Sequence, residues 1–163
     1  MNYCYVDSPI GTLLIAGDEQ AIRRIEFPHD GNPASPEPGW NKSNDTLLQE
    51  ATRQLREYFG GNRTAFTVPL VPEGTEFQRM VWRHLQDIPY GQTISYGELA
   101  KNVGNPKASR AVGAANGCNP IPIMIPCHRV IGADGRLTGF GGGLPTKKAL
   151  LTLEARRKSS LLF

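Results

Sequence analysis

The residues of this sequence with the clearest chemical potential are Cys127, His128 and Arg129, which follow one another directly. A cysteine reacts as its thiolate, and neighbouring basic or cationic groups favour that form. Cys127 has both kinds of neighbour, so it is a candidate nucleophile. The alternative is a small buried apolar residue, the commoner fate of a lone cysteine. Adjacent side chains of an extended chain point apart, so a reactive pair with His128 requires a turn here.

The elements on either side of Cys127 should position it. Residues 119–126, Asn-Pro-Ile-Pro-Ile-Met-Ile-Pro, contain prolines that forbid a helix and disfavour a central strand. We therefore expect a buried, extended segment that delivers Cys127. A helix beginning near Thr146 should bury Leu150 and Leu153. From the residues alone, Glu154 in that helix is a solvated carboxylate beside two arginines.

Two short predicted helices precede this segment, at 95–103 and 107–117, with a break at Gly104-Asn105-Pro106. They outline either an ordinary αα-hairpin or a helix-turn-helix. The second helix consists largely of alanine and glycine around a single Arg110. So little side-chain bulk builds a poor core, but it lets the backbone approach another surface. A nucleic-acid groove is one such surface.

The chain as a whole is predicted to be an α+β protein with two lobes, a small α/β lobe at 1–74 and a mainly α-helical lobe at 75–163. Thr75 is the predicted N-cap of a helix that runs to Ile88. The predicted elements of the first lobe are strands at 3–6, 12–16 and 21–27, a surface loop at 28–45, a helix at 47–59 that Gly60-Gly61 ends, and an extended segment at 66–74.

Composition narrows the class of protein. The chain has 163 residues, of which 39% are hydrophobic, enough for one core or two small lobes. Its three cysteines lack the spacing of a disulfide framework or a structural zinc site. No stretch reaches the roughly 18 apolar residues of a membrane span, and the N-terminus does not resemble a secretory signal. We expect a cytoplasmic protein, and its net charge of +3 is compatible with a polyanionic partner.

The segment IPIMIPCHRVIGADGRLTGFGGG, residues 121–143, resembles the active-site signature of the O6-alkylguanine-DNA alkyltransferases, also called methylated-DNA–protein-cysteine methyltransferases. The similarity extends in register from about Phe77 to Glu154 and includes Asp-Ser-Pro-Ile-Gly at 7–11. It implies a ribonuclease H-like N-terminal lobe and a C-terminal lobe with a winged-type helix-turn-helix. It also implies DNA repair by direct, stoichiometric transfer of an alkyl group from O6-alkylguanine to Cys127, with O4-alkylthymine as a further candidate substrate.

The resemblance assigns roles to five residues. Cys127 falls on the alkyl acceptor, and His128 on the histidine that draws off the thiol proton through a water. Glu154 falls on the acid that orients this histidine, which completes a relay of the kind that activates nucleophiles. Asn119 matches the asparagine that braces the turn between the recognition helix and the active site. Tyr96 matches the tyrosine that helps to rotate the nucleotide and stabilises the departing guanine.

An enzyme that works on O6 of guanine must extrude the nucleotide from the duplex. Arg110 matches the arginine that fills the vacated space, and the small residues of its helix fit entry into the minor groove. Without the resemblance, Arg110 is a solvated helix residue and Tyr96 a half-buried aromatic. The predicted DNA-contacting residues are Tyr96, Ala108, Ser109, Arg110, Gly113, Ala114 and Arg129.

The predicted pocket for the flipped base is lined by Pro122, Met124, Val130, Phe140 and Gly141. It departs from the family pattern twice. Many relatives have tyrosine where this chain has Phe140, and some have serine at Gly141. These changes keep an aromatic wall but remove two hydroxyl groups. We expect a roomier pocket that accepts alkyl groups larger than methyl.

The expected partner is duplex DNA containing an alkylated guanine, bound by a monomer, with no membrane association and no cofactor. Some family members hold zinc in the N-terminal lobe. Cys4, His29 and His84 are candidate ligands here, but Asp18 stands where a second cysteine would be expected, so no metal is predicted. Two other classes stay open: a lesion-binding protein without activity, although relatives of that kind lack the cysteine, and a Cys-His hydrolase or transferase acting on a small molecule.

Overall fold

A computed structural model describes residues 1–161 of the chain, with side chains as far as Arg157. The chain forms two compact units, of which the first is Met1–Glu73 and the second begins at Gly74. The predicted α+β class is confirmed, with the sheet in the first unit and most of the helix in the second. Within the described residues, every helix is too short or too polar to cross a membrane.

The first unit is built on a four-stranded sheet of order β3-β2-β1-β4, whose strands are β1 (Asn2–Ser8), β2 (Gly11–Gly17), β3 (Ile22–Glu26) and β4 (Asn41–Lys42). The first three strands form the predicted meander, with antiparallel pairing throughout. The fourth lies in the predicted surface loop and pairs parallel with β1. It was missed because two polar residues carry no alternating pattern.

Helix α1 (Thr46–Phe59) covers this sheet and is close to the predicted span. Its first turn is capped by Asp45, whose Oδ1 accepts a hydrogen bond from the Leu48 backbone N–H at 2.9 Å. The side chains at helical spacing on its inner face are buried, namely Leu48, Ala51, Leu55 and Tyr58. The amphipathic pattern therefore identified both the helix and the face that packs on the strands.

As far as residue 161, the second unit contains four α-helices, α2 (Glu76–Leu85), α3 (Tyr96–Asn102), α4 (Ser109–Gly117) and α5 (Leu144–Leu161), and a short parallel pair, β5 (Ile94–Ser95) with β6 (Val130–Ile131). Helix α2 begins with a capping box between Thr75 and Gln78, as the predicted N-cap requires. It ends three residues before Ile88, which the prediction had included.

Helices α3 and α4 pack against each other as the two helices of the helix-turn-helix. Helix α4 also packs on α2, where the buried Trp82 indole N–H donates to the Ala115 carbonyl at 2.8 Å. Val112 and Ala115 are buried on this side. Arg110 and Ala114 are exposed on the other side. The second helix thus has one core face and one outer face lined by small residues and a single arginine.

Candidate active site

Cys127 begins a single 3-10 turn, Cys127–Arg129, that leads into β6. The backbone N–H of Arg129 donates to the Pro126 carbonyl at 3.0 Å and closes the turn. Cys127 and His128 can act together only if the chain turns at this point. The structure provides this turn, and all three residues of the turn are buried.

The segment before this turn is buried, as predicted, but it is folded back and not extended. The Ile125 N–H donates to the Ile121 carbonyl at 3.0 Å, and Ile123 has a positive φ of 75°. Asn119 holds this turn: its Oδ1 accepts from the Ile121 N–H at 3.0 Å, and its Nδ2 donates to the Ile125 carbonyl at 2.8 Å. The extended prediction was wrong because prolines exclude helices and central strands without excluding a tight turn.

His128 and Glu154 form a fully buried pair, with 2.6 Å between Nε2 and Oε2. Burial alone would raise the pKa of Glu154, but the hydrogen bonds and charges of His128 and Arg129 hold it at about 2. An ionised carboxylate can only accept a hydrogen bond, so Nε2 of His128 is the nitrogen that carries the proton. Glu154 also accepts from the backbone N–H of Gly91 at 3.2 Å.

The second ring nitrogen of His128, Nδ1, is buried and makes no hydrogen bond to any of the described residues. Burial lowers the pKa of His128, which favours the neutral ring. A neutral imidazole with its proton on Nε2 has a lone pair on Nδ1. His128 is therefore arranged to accept a proton at Nδ1 while Glu154 stabilises the imidazolium that forms.

Arg129 is buried in the same network, and its side chain is only 8% exposed. Its Nε and Nη2 donate to the two Glu154 oxygens at 2.8 and 3.1 Å, and its Nη1 donates to the Ile88 carbonyl at 2.7 Å. The guanidinium also lies over the Tyr90 ring. The prediction that Arg129 contacts DNA is inconsistent with this placement, because the side chain balances the buried Glu154 carboxylate.

Cys127 is buried, with 4% of its surface exposed. Burial raises its pKa to about 11, although a hydrogen bond from the Asn119 side chain and the positive charge of Lys147 act in the opposite direction. At neutral pH the resting residue is therefore a thiol and not a thiolate. A thiol of this kind becomes nucleophilic only when a base removes its proton during the reaction, and the neighbouring His128 is such a base.

Tyr96 begins α3 and lies against both α4 and the loop that follows β6. A Cβ added to Gly113 would lie 3.6 Å from the Tyr96 ring, an ordinary van der Waals contact, so the ring packs beside α4 at this position. The Tyr96 hydroxyl donates to the Thr138 carbonyl at 3.3 Å and accepts from the Thr138 hydroxyl at 3.1 Å. These contacts fix the phenol at the side of the loop.

One residue of the site, Lys147, was not predicted from the sequence. Lys147 is fully buried, and its Nζ donates to the Val130 carbonyl at 2.6 Å and the Thr138 carbonyl at 3.0 Å. The signal was present: Lys147, Leu150 and Glu154 recur at helical spacing and form the buried side of α5. A lysine is usually solvated, so the leucines alone predicted the buried side of this helix.

The other predicted site residues divide by exposure. Among the predicted DNA contacts, Arg110 and Ala114 are exposed, whereas Ala108, Ser109 and Gly113 are half-buried. Among the predicted pocket residues, those close to Cys127 in the sequence are buried, whereas those in the loop after β6 are partly or fully exposed. The buried residues are Pro122, Met124 and Val130, Phe140 is half-buried, and Gly141 is exposed.

Cys4 and Asp18, two of the residues considered in connection with zinc, have other roles in the first unit. The thiol of Cys4 contacts the Thr52 hydroxyl at 3.7 Å. Asp18 closes a turn by accepting two backbone N–H groups, and it forms an ion pair with Arg23 at 2.7 Å. Across residues 1–161, no group of three or more His, Cys, Asp and Glu side chains is placed to hold a metal ion.

Comparison with known proteins agrees with this geometry. Residues 1–72 match the 6-O-methylguanine DNA methyltransferase ribonuclease-like domain, and residues 76–156 match the DNA-binding domain of the same family. A methylated-DNA–protein-cysteine methyltransferase from Methanosarcina acetivorans is 53% identical over 94% of this chain and 98% of its own length. One from Mycolicibacterium paratuberculosis is 49% identical over 99% of this chain and 97% of its own.

Solved structures give the same result. The crystal structure of Mycobacterium tuberculosis OGT in complex with DNA superposes with a TM-score of 0.89 at 46% identity, and covers 96% of this chain and 94% of that one. The M. tuberculosis O6-methylguanine methyltransferase crystal structure has a TM-score of 0.86 at 47% identity, with 96% and 93% covered. Both domains and nearly the full length are matched, so this chain belongs to the 6-O-methylguanine DNA methyltransferase family.

Proposed function

We propose that this chain repairs DNA by transferring the alkyl group of an O6-alkylguanine to its own Cys127, once per protein molecule. The observation that carries the proposal is the buried pair of His128 and Glu154, 2.6 Å apart, in which His128 lies in the same turn as the buried Cys127 and Glu154 reaches it from α5. The pair supplies a base beside a thiol that is otherwise protonated. The family relation supplies the substrate class, since relatives over 45% identical are named methylated-DNA–protein-cysteine methyltransferases.

In the proposed reaction the alkyl group moves from O6 of guanine to the sulfur of Cys127. The Cys127 proton passes through a water to Nδ1 of His128, and Glu154 stabilises the imidazolium. The thiolate sulfur attacks the alkyl carbon, the bond from that carbon to O6 breaks, and its electron pair stays on the base. Tyr96 assists the departure of guanine by donating a hydrogen bond or proton near N3. Overall the base gains the proton that the thiol lost, so neutral guanine leaves and Cys127 remains as a thioether.

We also propose that α3 and α4 present the duplex to this site. Arg110 is the exposed side chain suited to occupy the space of a flipped nucleotide, and Ala114 offers little bulk beside it. A related structure described as a complex with DNA supports this use of the fold. Phosphate contacts would make the affinity for undamaged DNA depend on salt. A single chain carries the nucleophile and its relay, so we propose a monomer acting in the cytoplasm.

The deciding experiment is intact-protein mass spectrometry after incubation with a duplex that contains one O6-methylguanine, followed by peptide mapping. We expect a gain of one methylene unit on the peptide that contains Cys127, and none with the undamaged duplex. Tight lesion binding without a mass change would instead make the protein a damage sensor. Turnover of thioesters or similar small molecules without DNA would favour the Cys-His enzyme class.

We further propose that the pocket accepts alkyl groups larger than methyl. A Cβ added at Gly141 would meet no atom within 4 Å, and Gly141 is exposed, so this side of the loop is open. Wild-type protein should react with O6-benzylguanine in a duplex, and Gly141→Ser should lower the benzyl rate more than the methyl rate. Single-turnover rates on matched oligonucleotides measure the ratio.

The matched control for the pocket is Ala133→Ser, which adds the same hydroxyl to an exposed position of the same loop. It should leave the ratio of benzyl to methyl rates unchanged. Strong exclusion of the benzyl substrate by the wild-type protein would contradict the roomier pocket.

A further inference from the structure

Lys147 is a buried cation whose hydrogen bonds go to two backbone carbonyls and not to a carboxylate. Among the described residues, no Asp or Glu lies within ion-pair distance of its Nζ, and its relative exposure is 0%. Burying an ammonium group costs several kcal/mol unless its surroundings compensate for the lost water. A leucine or methionine would fill this face of α5 without the cost of burying a charge, so packing alone does not explain a lysine here.

The two carbonyls belong to the two sides of the site. Val130 directly follows the turn that carries Cys127, and its carbonyl accepts from Nζ at 2.6 Å. The Thr138 carbonyl, at 3.0 Å, accepts from Nζ and also from the Tyr96 hydroxyl. The ammonium lies 6.0 Å from the centre of the Tyr96 ring. One cation therefore joins the cysteine turn, the loop and the tyrosine.

We propose that Lys147 is a positioning residue for alkyl transfer, which holds Thr138 and Tyr96 against the cysteine turn and supplies the fixed positive charge beside which the Cys127 thiolate forms. The inference rests on the proposed function and deepens it. A preorganised cation in a site closed to water stabilises developing negative charge without reorganisation. The same cation lowers the pKa of the Cys127 thiol, against the larger effect of burial.

The charge and the hydrogen bonds of Lys147 can be separated by two variants. Lys147→Gln keeps an amide donor for the carbonyls and removes the charge, whereas Lys147→Arg keeps the charge. The other ionisable groups around the thiol, His128, Glu154, Arg129 and Tyr96, stay in place in both. Lys148→Gln is the matched control, because Lys148 is the next residue of α5 and is exposed.

Burial lowers the pKa of Lys147 and raises that of the Cys127 thiol to about 11, so on raising the pH the lysine loses its proton before the thiol does. The measurement is therefore the rate of Cys127 alkylation at neutral pH by a small neutral haloacetamide, with peptide mapping to separate Cys127 from the other two cysteines. We expect Lys147→Gln to lower this rate about tenfold, which corresponds to a rise of about one unit in the pKa at which the thiolate forms. Lys147→Arg should stay close to the wild-type rate, and Lys148→Gln should match it. Single-turnover transfer from O6-methylguanine should slow by a similar factor in Lys147→Gln alone.

An unchanged alkylation rate at neutral pH in a folded Lys147→Gln protein would overturn the proposal and leave Lys147 a structural residue, even if the melting temperature fell. If Lys147→Gln fails to fold, a wild-type rate in Lys147→Arg supports the charge, and a rate about tenfold lower there overturns it. The haloacetamide assay needs no DNA. Failure of the wild-type protein to take a methyl group from DNA would therefore refute the proposed function without deciding the role of Lys147.

Discussion

Replacing Cys127 by serine should abolish alkyl transfer while binding to the alkylated duplex is retained. A serine hydroxyl is far less acidic than a thiol, so His128 cannot convert it into a competent nucleophile. The fold should survive, because the change is close to isosteric and the turn is held by backbone and Asn119 hydrogen bonds. Mass spectrometry with excess O6-methylguanine duplex should show no adduct, and a gel-shift titration should give an affinity close to that of the wild type.

Cys118→Ser is the matched control for this change. Cys118 is an exposed free cysteine immediately after α4 and lies outside the cysteine turn. Its replacement should leave the transfer rate unchanged. An adduct that still forms on Cys127→Ser protein, at Cys118 or Cys4, would show that the acceptor has been misassigned.

The parts of the fold that the sequence predicted are those with local signals. Helix α1 was found from its apolar spacing and from Gly60-Gly61, and α2 from Thr75 as N-cap. Strand β4 was not found, because its two polar residues become a strand only through pairing with β1. The residues alone did not predict the turn before Cys127, since Asn119 stabilises it through contacts that no residue pattern displays, and only the family resemblance assigned Asn119 to such a turn.

The residues of the site could be predicted from the sequence only where they are adjacent in it. Cys127 and His128 stand together in the sequence, but Glu154 is 26 residues from His128, and only the family resemblance pointed to it. Arg129 was expected to face DNA and Lys147 was not considered, because charged side chains are usually solvated. Whether a charge is buried depends on partners that folding brings together, and composition or spacing does not reveal them.

Glu154→Gln should be the most disruptive change that leaves the nucleophile intact. The neutral amide removes the negative charge that stabilises the His128 imidazolium, and it leaves the buried Arg129 guanidinium without its ion pair. Loss of one partner of a buried pair typically costs about 3–5 kcal/mol of unfolding free energy. Loss of the residue that orients a catalytic base slows a reaction by about 10²–10⁴-fold. Urea unfolding and single-turnover kinetics measure the two effects.

Glu154→Gln should also change how the unfolding free energy depends on pH. Glu154 has a folded-state pKa of about 2 against an ordinary 4.5, so the stability it contributes is complete above pH 4.5 and is lost as the pH falls toward 2. His128 also has a lowered pKa, so it too makes the wild type less stable as the pH falls below 6.5. Glu154→Gln has no carboxyl group at this position to titrate. Its unfolding free energy should therefore vary less than that of the wild type between about pH 4.5 and about pH 2.

Glu98→Gln serves as the matched control, because Glu98 is an exposed carboxylate in the first turn of α3. Its effects on stability and transfer should be small, since exposed charges interact weakly through water. Kinetics must be measured under conditions in which circular dichroism shows Glu154→Gln to be folded, so that the loss of rate is not a loss of protein. A folded Glu154→Gln protein that transfers at the wild-type rate would exclude His128 as a base oriented by Glu154. The thiol proton would then have to leave by another route.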